Sequence, residues 1–472
     1  MKKRNKYLFK NTIIFAIGNF ASKFISFFLV PLYTNILSTS DYGTVDLIST
    51  ICMVLVPLFS LNIAESIIRF GLDKNNNEKD IGKIANKTFF ISALIGLSII
   101  PILWTVDNTK DLSILVYFYF ITSMGSQIFL SVLKGNEKLK LYTCGNVLNT
   151  FLIAIFNIIF LAIFKFGIKG YITAYIISNL IVTLYAFIVS KSYKNGIKNV
   201  NKKLYKEMIK YSVVLIPTTF MWWIMNSSDR IMVTKMVSTS ANGIYAISYK
   251  LPTLISTIIS VFTQAWLFSA ISEKDSEDKE QYTNQIYKYL FIVCSVCCIG
   301  LFMITKPFMK IYVSTEFYSA WKYISFLAIG VVFQSLATFV STSYNVYKDN
   351  KGFLFSGVFG AILNIILNFL LIPDFKVYGA AFATCISYIA VFLYRIIDTK
   401  KYTKIDILNW KYIVSYILMI ISALTLYIDN IIGQICLIIE FLIIVILYNK
   451  EFLFITNNIL RKIKNRGKTN EK

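Results

Sequence analysis

Three cations stand where cations are expensive. Lys23, Arg230 and Lys250 each fall inside a long apolar run of the sequence. An ionisable side chain at mid-bilayer costs about 2.5–3.5 kcal/mol or more, so it faces an aqueous cavity or a partner. Lys23 lies about 12 residues from either end of its run, and at ~1.5 Å per residue that is ~18 Å, far for snorkelling to the interface. It reads as a cavity-facing cation, with a buried partner or snorkelling as the other reading. Asp229 and Arg230 are sequence neighbours on a helix and do not face each other, so each needs its own partner. Lys250 is the expected partner of Asp229. Arg230 reads as a second cavity cation or as an anchor at the membrane interface.

Weaker candidates surround these. Arg69 follows Glu65 by one helical turn near the end of the second apolar run, as a low cationic station or as a positive anchor with an i,i+4 pair. Glu65 and Asp229 are the acids that could couple transport to an ion or simply pair with a cation. Asp46 reads as a helix N-terminal acid. Asn146, Asn149, Asn157, Asn364 and Asn368 could hydrogen-bond sugar hydroxyls or hold helices together. Glu440 lies deep in the last run with no assigned role.

Other chemistries are poorly supplied. The chain has no histidine, the commonest general base and metal ligand. Cys294, Cys297 and Cys298 have the spacing of a redox or metal motif, but they stand in the apolar run YLFIVCSVCCIGLFMI and read as small helix residues. No metal site, no cofactor and no enzymatic activity are expected. The net charge of +23 suggests a nucleic-acid binder, yet 56% of the 472 residues are hydrophobic and only 15% are charged. A chain that apolar has little wet surface to offer nucleic acid, and its composition is that of a membrane protein.

The elements that must position these residues are membrane helices. A ~30 Å hydrocarbon core needs about 20 apolar residues per helix. Such runs occur near 12–36, 45–68, 84–106, 112–133, 142–165, 168–190, 211–236, 243–270, 285–305, 320–346, 352–373, 377–398, 412–428 and 431–448, fourteen in all. The connections are too short for a folded catalytic domain. The first run follows MKKRNKYLFK without a small-residue cleavage site and is read as a retained span. With both termini cytoplasmic, 37 of the 48 basic residues lie in or beside the inner segments, eight lie outside, and three remain in the spans.

An internal repeat organises the spans. Ser38-Thr39-Ser40-x-x-Gly43 recurs as Ser238-Thr239-Ser240-x-x-Gly243, each after the first helix of a six-helix block. Gly170-x-x-x-Ala174-x-x-Ile177-Ser178 recurs as Gly379-x-x-x-Ala383-x-x-Ile386-Ser387, each opening a sixth helix. Six helices return the chain to its starting side, so the halves are parallel repeats with a pathway between them. The expected organisation is an N-terminal lobe at 1–190, a basic cytoplasmic linker at 191–210, and a C-terminal lobe at 211–400. An extra helix pair at 401–449 and a basic cytoplasmic tail at 450–472 follow. The fold class is thus an all-α integral membrane protein of about fourteen helices, two six-helix repeats plus two.

Gly18-Asn19-Phe20-Ala21-Ser22-Lys23-Phe24, with Pro31-Leu32-Tyr33-Thr34-Asn35-Ile36-Leu37 and Tyr42-Gly43, resembles the N-terminal signature of bacterial polysaccharide exporters. Asn226-Ser227-Ser228-Asp229-Arg230 with Asn242-Gly243-Ile244-Tyr245 is similar to their second half. These are the Wzx-type lipid-linked oligosaccharide flippases of the multidrug/oligosaccharidyl-lipid/polysaccharide superfamily, and the likeness runs over about residues 8–400 in pattern and order. Asn35 departs from it, standing where a basic residue is expected. The resemblance implies a two-lobed, V-shaped, alternating-access protein of the bacterial cytoplasmic membrane. Its substrate would be an oligosaccharide on undecaprenyl pyrophosphate, turned from the inner to the outer leaflet, with polysaccharide polymerase and glycosyltransferases as partners and no nucleic acid. Arg69, Lys23, Arg230 and Lys250 would then form successive stations for the pyrophosphate. A cation-coupled multidrug exporter of the same superfamily is the nearest alternative, and a membrane polysaccharide polymerase a more distant one.

Overall fold

A computed structural model describes residues 20–73, 75–104, 107–451 and 453. Among these residues the regular structure is helical throughout. The first half holds α1 (Phe20–Ile36), α2 (Thr39–Phe59), α3 (Ile63–Gly71), α4 (Glu78–Gly96), α5 (Ser113–Gly135), α6 (Leu139–Asn157) and α7 (Gly167–Val189). The second half holds α8 (Lys202–Met236), α9 (Thr239–Ser248), α10 (Pro252–Ser272), α11 (Lys279–Tyr312), α12 (Trp321–Tyr347) and α13 (Asn350–Thr399). Two shorter helices follow, α14 (Trp410–Thr425) and α15 (Ile431–Leu447).

Ten of the described helices are long and apolar enough to cross a membrane, and Phe20–Ile36, α14 and α15 are shorter apolar helices. The 50-residue α13 contains both the eleventh and the twelfth expected spans; it bends at Lys376, whose φ of 51° and ψ of −128° are not helical. Two other spans are broken. After Pro57, which cannot donate an amide hydrogen bond, Leu61 and Asn62 adopt left-handed conformations and separate α2 from α3. Residues 249–251 separate α9 from α10, which restarts at Pro252 in its first turn. Lys250 therefore sits in a turn between two helices within an apolar span.

The two sequence echoes are structural echoes as well. Ser38 caps α2 by accepting from the Asp41 amide at 3.1 Å, and Ser238 caps α9 by accepting from the Ala241 amide at 3.1 Å. Just inside those caps, Gly43 and Gly243 meet backbone to backbone. A Cβ on Gly43 would overlap the Thr239 carbonyl oxygen, and a Cβ on Gly243 would overlap the Thr39 carbonyl oxygen. The reciprocity is what a two-fold relation between repeats produces, and the bare Cα is what lets helices approach so closely. In the other echo, Ser178 and Ser387 each donate to the carbonyl four residues back, of Ala174 and Ala383, both at 2.7 Å.

The chain forms two compact units. The first comprises residues up to Lys250 together with Lys310–Tyr323 and Phe353–Ser387; the second comprises Leu251–Met309, Ile324–Gly352 and the chain from Tyr388. These units are drawn differently from the expected lobes at 1–190 and 211–400. The physical reason is the Gly43–Gly243 crossing: it packs the start of the second half into the same core as the first. Within the first unit, α2 and α8 are also joined by the Trp223 indole, which donates to the Thr50 carbonyl at 2.8 Å, and Asn62, in the break after α2, donates to Thr219 on α8 at 3.3 Å. Within the second unit, Trp266 donates to Thr342 at 2.9 Å, and Glu451 receives both Lys288 at 2.7 Å and Lys411 at 3.2 Å. Glu440 finds a local partner there: Thr425 on α14 donates to its carboxylate at 2.8 Å, tying α14 to α15.

Candidate functional site

The three intramembrane cations converge in the first unit. Lys23 on α1 is exposed, and Lys250 is the charge that faces it. Lys250, half-buried at the α9–α10 break, has Asp46, Arg230 and Tyr175 as electrostatic neighbours. Among the described residues no carboxylate forms an ion pair with Lys23. Two ammonium groups that repel each other, one of them without an ion-paired carboxylate among the described residues, leave a local excess of positive charge. Such a place attracts an anion.

Arg230 has its own partner. Its guanidinium forms an ion pair with Asp46 on α2, with side chains 21% and 11% exposed, and lies 5.2 Å from the centre of the Tyr249 ring. Asp46, expected to be a helix N-terminal acid, is instead an ion-pair residue; the N-terminal role belongs to Asp41, whose carboxylate completes the capping box with Ser38. The other Asp46 oxygen accepts from Asn242 at 3.4 Å, and the same Asn242 amide donates to the Gly43 carbonyl at 3.0 Å. The ion pair is thus fastened to the glycine crossing.

Asp229 and Arg230 do find different partners, as their positions on one helix require, but Asp229 is not held by the expected ammonium group. One of its oxygens accepts from Tyr245 at 2.6 Å, Tyr249 at 2.9 Å and Thr384 at 3.2 Å, and the other accepts the Arg230 amide at 2.9 Å. The cause is local geometry: Tyr245 and Tyr249 stand one turn apart on the segment leading into the break, so both hydroxyls reach the same carboxylate.

The asparagines divide. Asn364 and Asn368 are 1% and 0% exposed and belong to the Asp229 cluster. Asn368 donates to the Asn364 side-chain oxygen at 2.9 Å, Ser228 donates to that same oxygen at 3.4 Å, and Asn364 donates to Thr384 at 3.4 Å. The side-chain oxygen of Asn368 is buried without a hydrogen-bond partner. Asn149 joins α6 to α7 by donating to Asn179 at 3.0 Å, while Asn146 and Asn157 donate to carbonyls of their own helix. Glu65 and Arg69 are both exposed on α3, and the expected pair between them is not an ion pair in the structure. Nothing among the described contacts joins Arg69 to the other three cations.

Chemically the site has two parts. Lys23 and Lys250 offer positive charge to an anion. Asp229, Asn364, Asn368 and Thr384 form a buried network of oxygens in which the carboxylate and the Asn364 oxygen already accept hydrogen bonds and the Asn368 side-chain oxygen accepts none. Tyr245, Tyr249, Thr384 and Asn242 are the members that reading the charges alone misses, and Asp46 is one it assigns to a different role. Their signals in the sequence are the i,i+4 spacing of Tyr245 and Tyr249 beside the Asn242-Gly243 echo, and the adjacency of Thr384 to Ala383.

The described fold is all-helical, with helices long and apolar enough to cross a membrane, and it gathers these ionisable groups inside one unit. In sequence, the chain belongs to the polysaccharide biosynthesis protein family, whose model matches residues 8–273. It is 23% identical over 425 residues to an uncharacterized membrane protein of Methanocaldococcus jannaschii, covering 84% of this chain and 99% of that one. In structure it is similar to the lipid II flippase MurJ in an inward closed conformation, with a TM-score of 0.71 at 17% identity over 94% of this chain and 100% of that chain. It is also similar to an inward-facing multidrug resistance MATE family transporter of the MOP superfamily, with a TM-score of 0.61 at 11% identity over 86% and 95%. These likenesses show that the chain has the fold shared by those two proteins.

Proposed function

We propose that the protein turns a lipid-linked anionic oligosaccharide, carried on undecaprenyl pyrophosphate, from the inner to the outer leaflet of the bacterial cytoplasmic membrane. In this reading both termini are cytoplasmic, fourteen helices cross the bilayer, and the parallel repeats alternate access by rocking. The observation that carries the reading is the Lys23–Lys250 juxtaposition. A pyrophosphate bears two or more negative charges, and moving it through hydrocarbon without compensation is prohibitive. Two facing ammonium groups compensate it directly, while the polyprenyl chain stays in lipid. Arg230 serves the same anion once it leaves Asp46. A multidrug exporter for cationic compounds would meet repulsion at these lysines.

The Asp229 cluster supplies the coupling element of the same proposal. A Na+ ion there would be held by the Asp229 carboxylate, Asn364, Asn368 and Thr384, and the unpartnered Asn368 oxygen is the observation that favours it. Glu65, exposed on α3, has no such surroundings.

The test is transport of lipid-linked pyrophosphate oligosaccharide into proteoliposomes, with surface polysaccharide measured in cells. Lys23→Ala and Lys250→Ala are each expected to lower flipping by tenfold or more, roughly one lost charge contact in a low-dielectric site. Lys→Arg at either position should retain part of the activity. Normal flipping by both alanine variants at normal protein level sinks the proposal. Efflux of cationic drugs with unchanged glycan favours the exporter.

A further inference from the structure

The basic segment that joins α7 to α8 is a folded loop in the first unit, held by α4. The Asn86 side-chain amide donates to the Ser192 carbonyl at 2.9 Å and to the Gly196 carbonyl at 3.1 Å, so one buried residue grips both ends of a turn. Gly82, one helical turn before Asn86, lies against the Asn195 side chain, and a Cβ there would overlap the Asn195 amide nitrogen. Ser190 and Ser192 share a hydroxyl hydrogen bond of 2.7 Å, and Gly196 turns the chain with a φ of 64°. Fixing a loop in this way costs conformational entropy that a mere tether keeps.

What the fixed loop presents outward is apolar as well as charged. Tyr193 and Ile197 are 52% and 47% exposed. Leu180, Leu184 and Ile188 are exposed at four-residue intervals along α7, and Tyr193 carries that apolar surface past the helix end, its ring 6.5 Å from the Phe187 ring in the last turn. All seven lysines between 191 and 210 are exposed, against a single acid, Glu207. Among the described residues no carboxylate forms an ion pair with any of the seven, and Lys194 lies 5.7 Å from the centre of the Tyr193 ring. Lysines alone suffice to orient a loop beside a membrane. Apolar side chains held out among those lysines, at the end of a membrane helix, match a surface that is negative at its face and apolar beneath it. A soluble acidic partner would match the charge but would not continue the apolar surface of α7.

We propose that this loop docks on an anionic lipid surface, with Lys191, Lys194 and Lys198 at the level of the phosphates and Tyr193 and Ile197 set between the headgroups. The anionic lipid content of the membrane then determines how firmly the loop, and through Asn86 the start of α4, is held. On the orientation proposed above the leaflet is the inner one. Docking itself requires neither that orientation nor any transported substrate, so it stands or falls separately from the flippase reading.

Hydrogen–deuterium exchange of the full chain in nanodiscs tests this, with dioleoylphosphatidylcholine alone compared with an equal mixture of it and dioleoylphosphatidylglycerol. The amides of residues 193–200 are expected to exchange several-fold more slowly in the mixture, and the difference should shrink at ~1 M salt, where the Debye length is ~3 Å. Lys191→Gln, Lys194→Gln and Lys198→Gln together should abolish the difference. Tyr193→Ser with Ile197→Ser keeps every charge and should remove most of it, which keeps the test decisive if the lysine variant is unstable. Lys348→Gln with Lys351→Gln removes two exposed lysines of the second unit and should leave it unchanged. Equal exchange in the two nanodiscs overturns the docking. So does a difference that survives the lysine variant or the serine pair, or one that the second-unit pair removes as well.

Discussion

Arg230 on α8 forms its ion pair with Asp46 on α2, 184 residues earlier in the chain, and Asn242 fastens that pair to the carbonyl of Gly43. The two repeats are thereby joined near their starts, α2 of the first to α8 and α9 of the second, by a charge pair and a backbone crossing. An anion offered to Arg230 competes with Asp46, so the residue that closes this junction is also one that a pyrophosphate would engage. Asp46→Asn leaves the hydrogen bond from Asn242 possible but removes the charge pair, with an expected loss of about 2–4 kcal/mol for these largely buried partners. A double-mutant cycle with Arg230→Gln checks it by thermal unfolding in detergent. The coupling should lie at about 0.5–3 kcal/mol, and strictly additive losses would mean the two residues do not act as a pair.

The glycine crossing makes a sharper demand. Since a methyl group on either residue overlaps a backbone oxygen of the other helix, Gly43→Ala and Gly243→Ala should each force α2 and α9 apart. The expected result is protein level or flipping reduced several-fold by each single variant, with the double variant little worse, because one displaced crossing is already displaced. Alanine at Gly357 is the control: a Cβ there meets open space. Unchanged flipping in both crossing variants would show that the helices separate without loss of function.

How far the sequence discloses this site can be argued from its members. Lys23, Arg230 and Lys250 are legible because a charge inside an apolar run is conspicuous, and the broken helix at Lys250 is foreshadowed by Pro252. The repeat is legible because Gly43 and Gly243 sit at equal distances from matching caps. Asp46 is not legible as a partner: its place early in α2 offers a sufficient local reason for an acid, and nothing local points across 184 residues. Tyr245 and Tyr249 are hidden for another reason. Aromatic residues are common in membrane helices, and only the position of Asp229 distinguishes these two.

The Asp229 cluster predicts a cation effect that does not depend on transport. Na+ at concentration c, held by the native state alone, stabilises it by RT ln(1 + c/Kd), about 2.7 kcal/mol at a hundredfold excess over Kd, and so raises the unfolding midpoint. Exchange of NaCl for choline chloride at constant ionic strength should therefore lower the midpoint of the wild type. Asp229→Asn and Thr384→Val should abolish the difference while lowering stability in both salts. A midpoint indifferent to the cation in the wild type removes Na+ from the proposal and leaves Asp229 as a hydroxyl-bonded carboxylate.

A last prediction concerns pH at the loop joining α12 to α13, outside the spans. Asp349 accepts the Gly352 amide at 2.9 Å and the Tyr402 hydroxyl at 2.9 Å, with Lys401 3.2 Å away. These contacts, the amide first, hold its carboxyl below its ordinary value of 3.8. Lys401 is held above its ordinary range, chiefly by Asp398 and then by Asp349, so it stays charged across the whole working range. A carboxyl depressed in the folded state contributes stability that is complete above its unfolded value and is lost as pH falls through the folded one. Asp349→Asn keeps a residue that caps α13 well, so it isolates the charge. Its unfolding midpoint should lie below that of the wild type by a constant gap from pH 5 to pH 8, and the gap should close as pH falls below about 3.8. A gap that persists unchanged at the lowest pH would assign the role of Asp349 to geometry rather than to its charge.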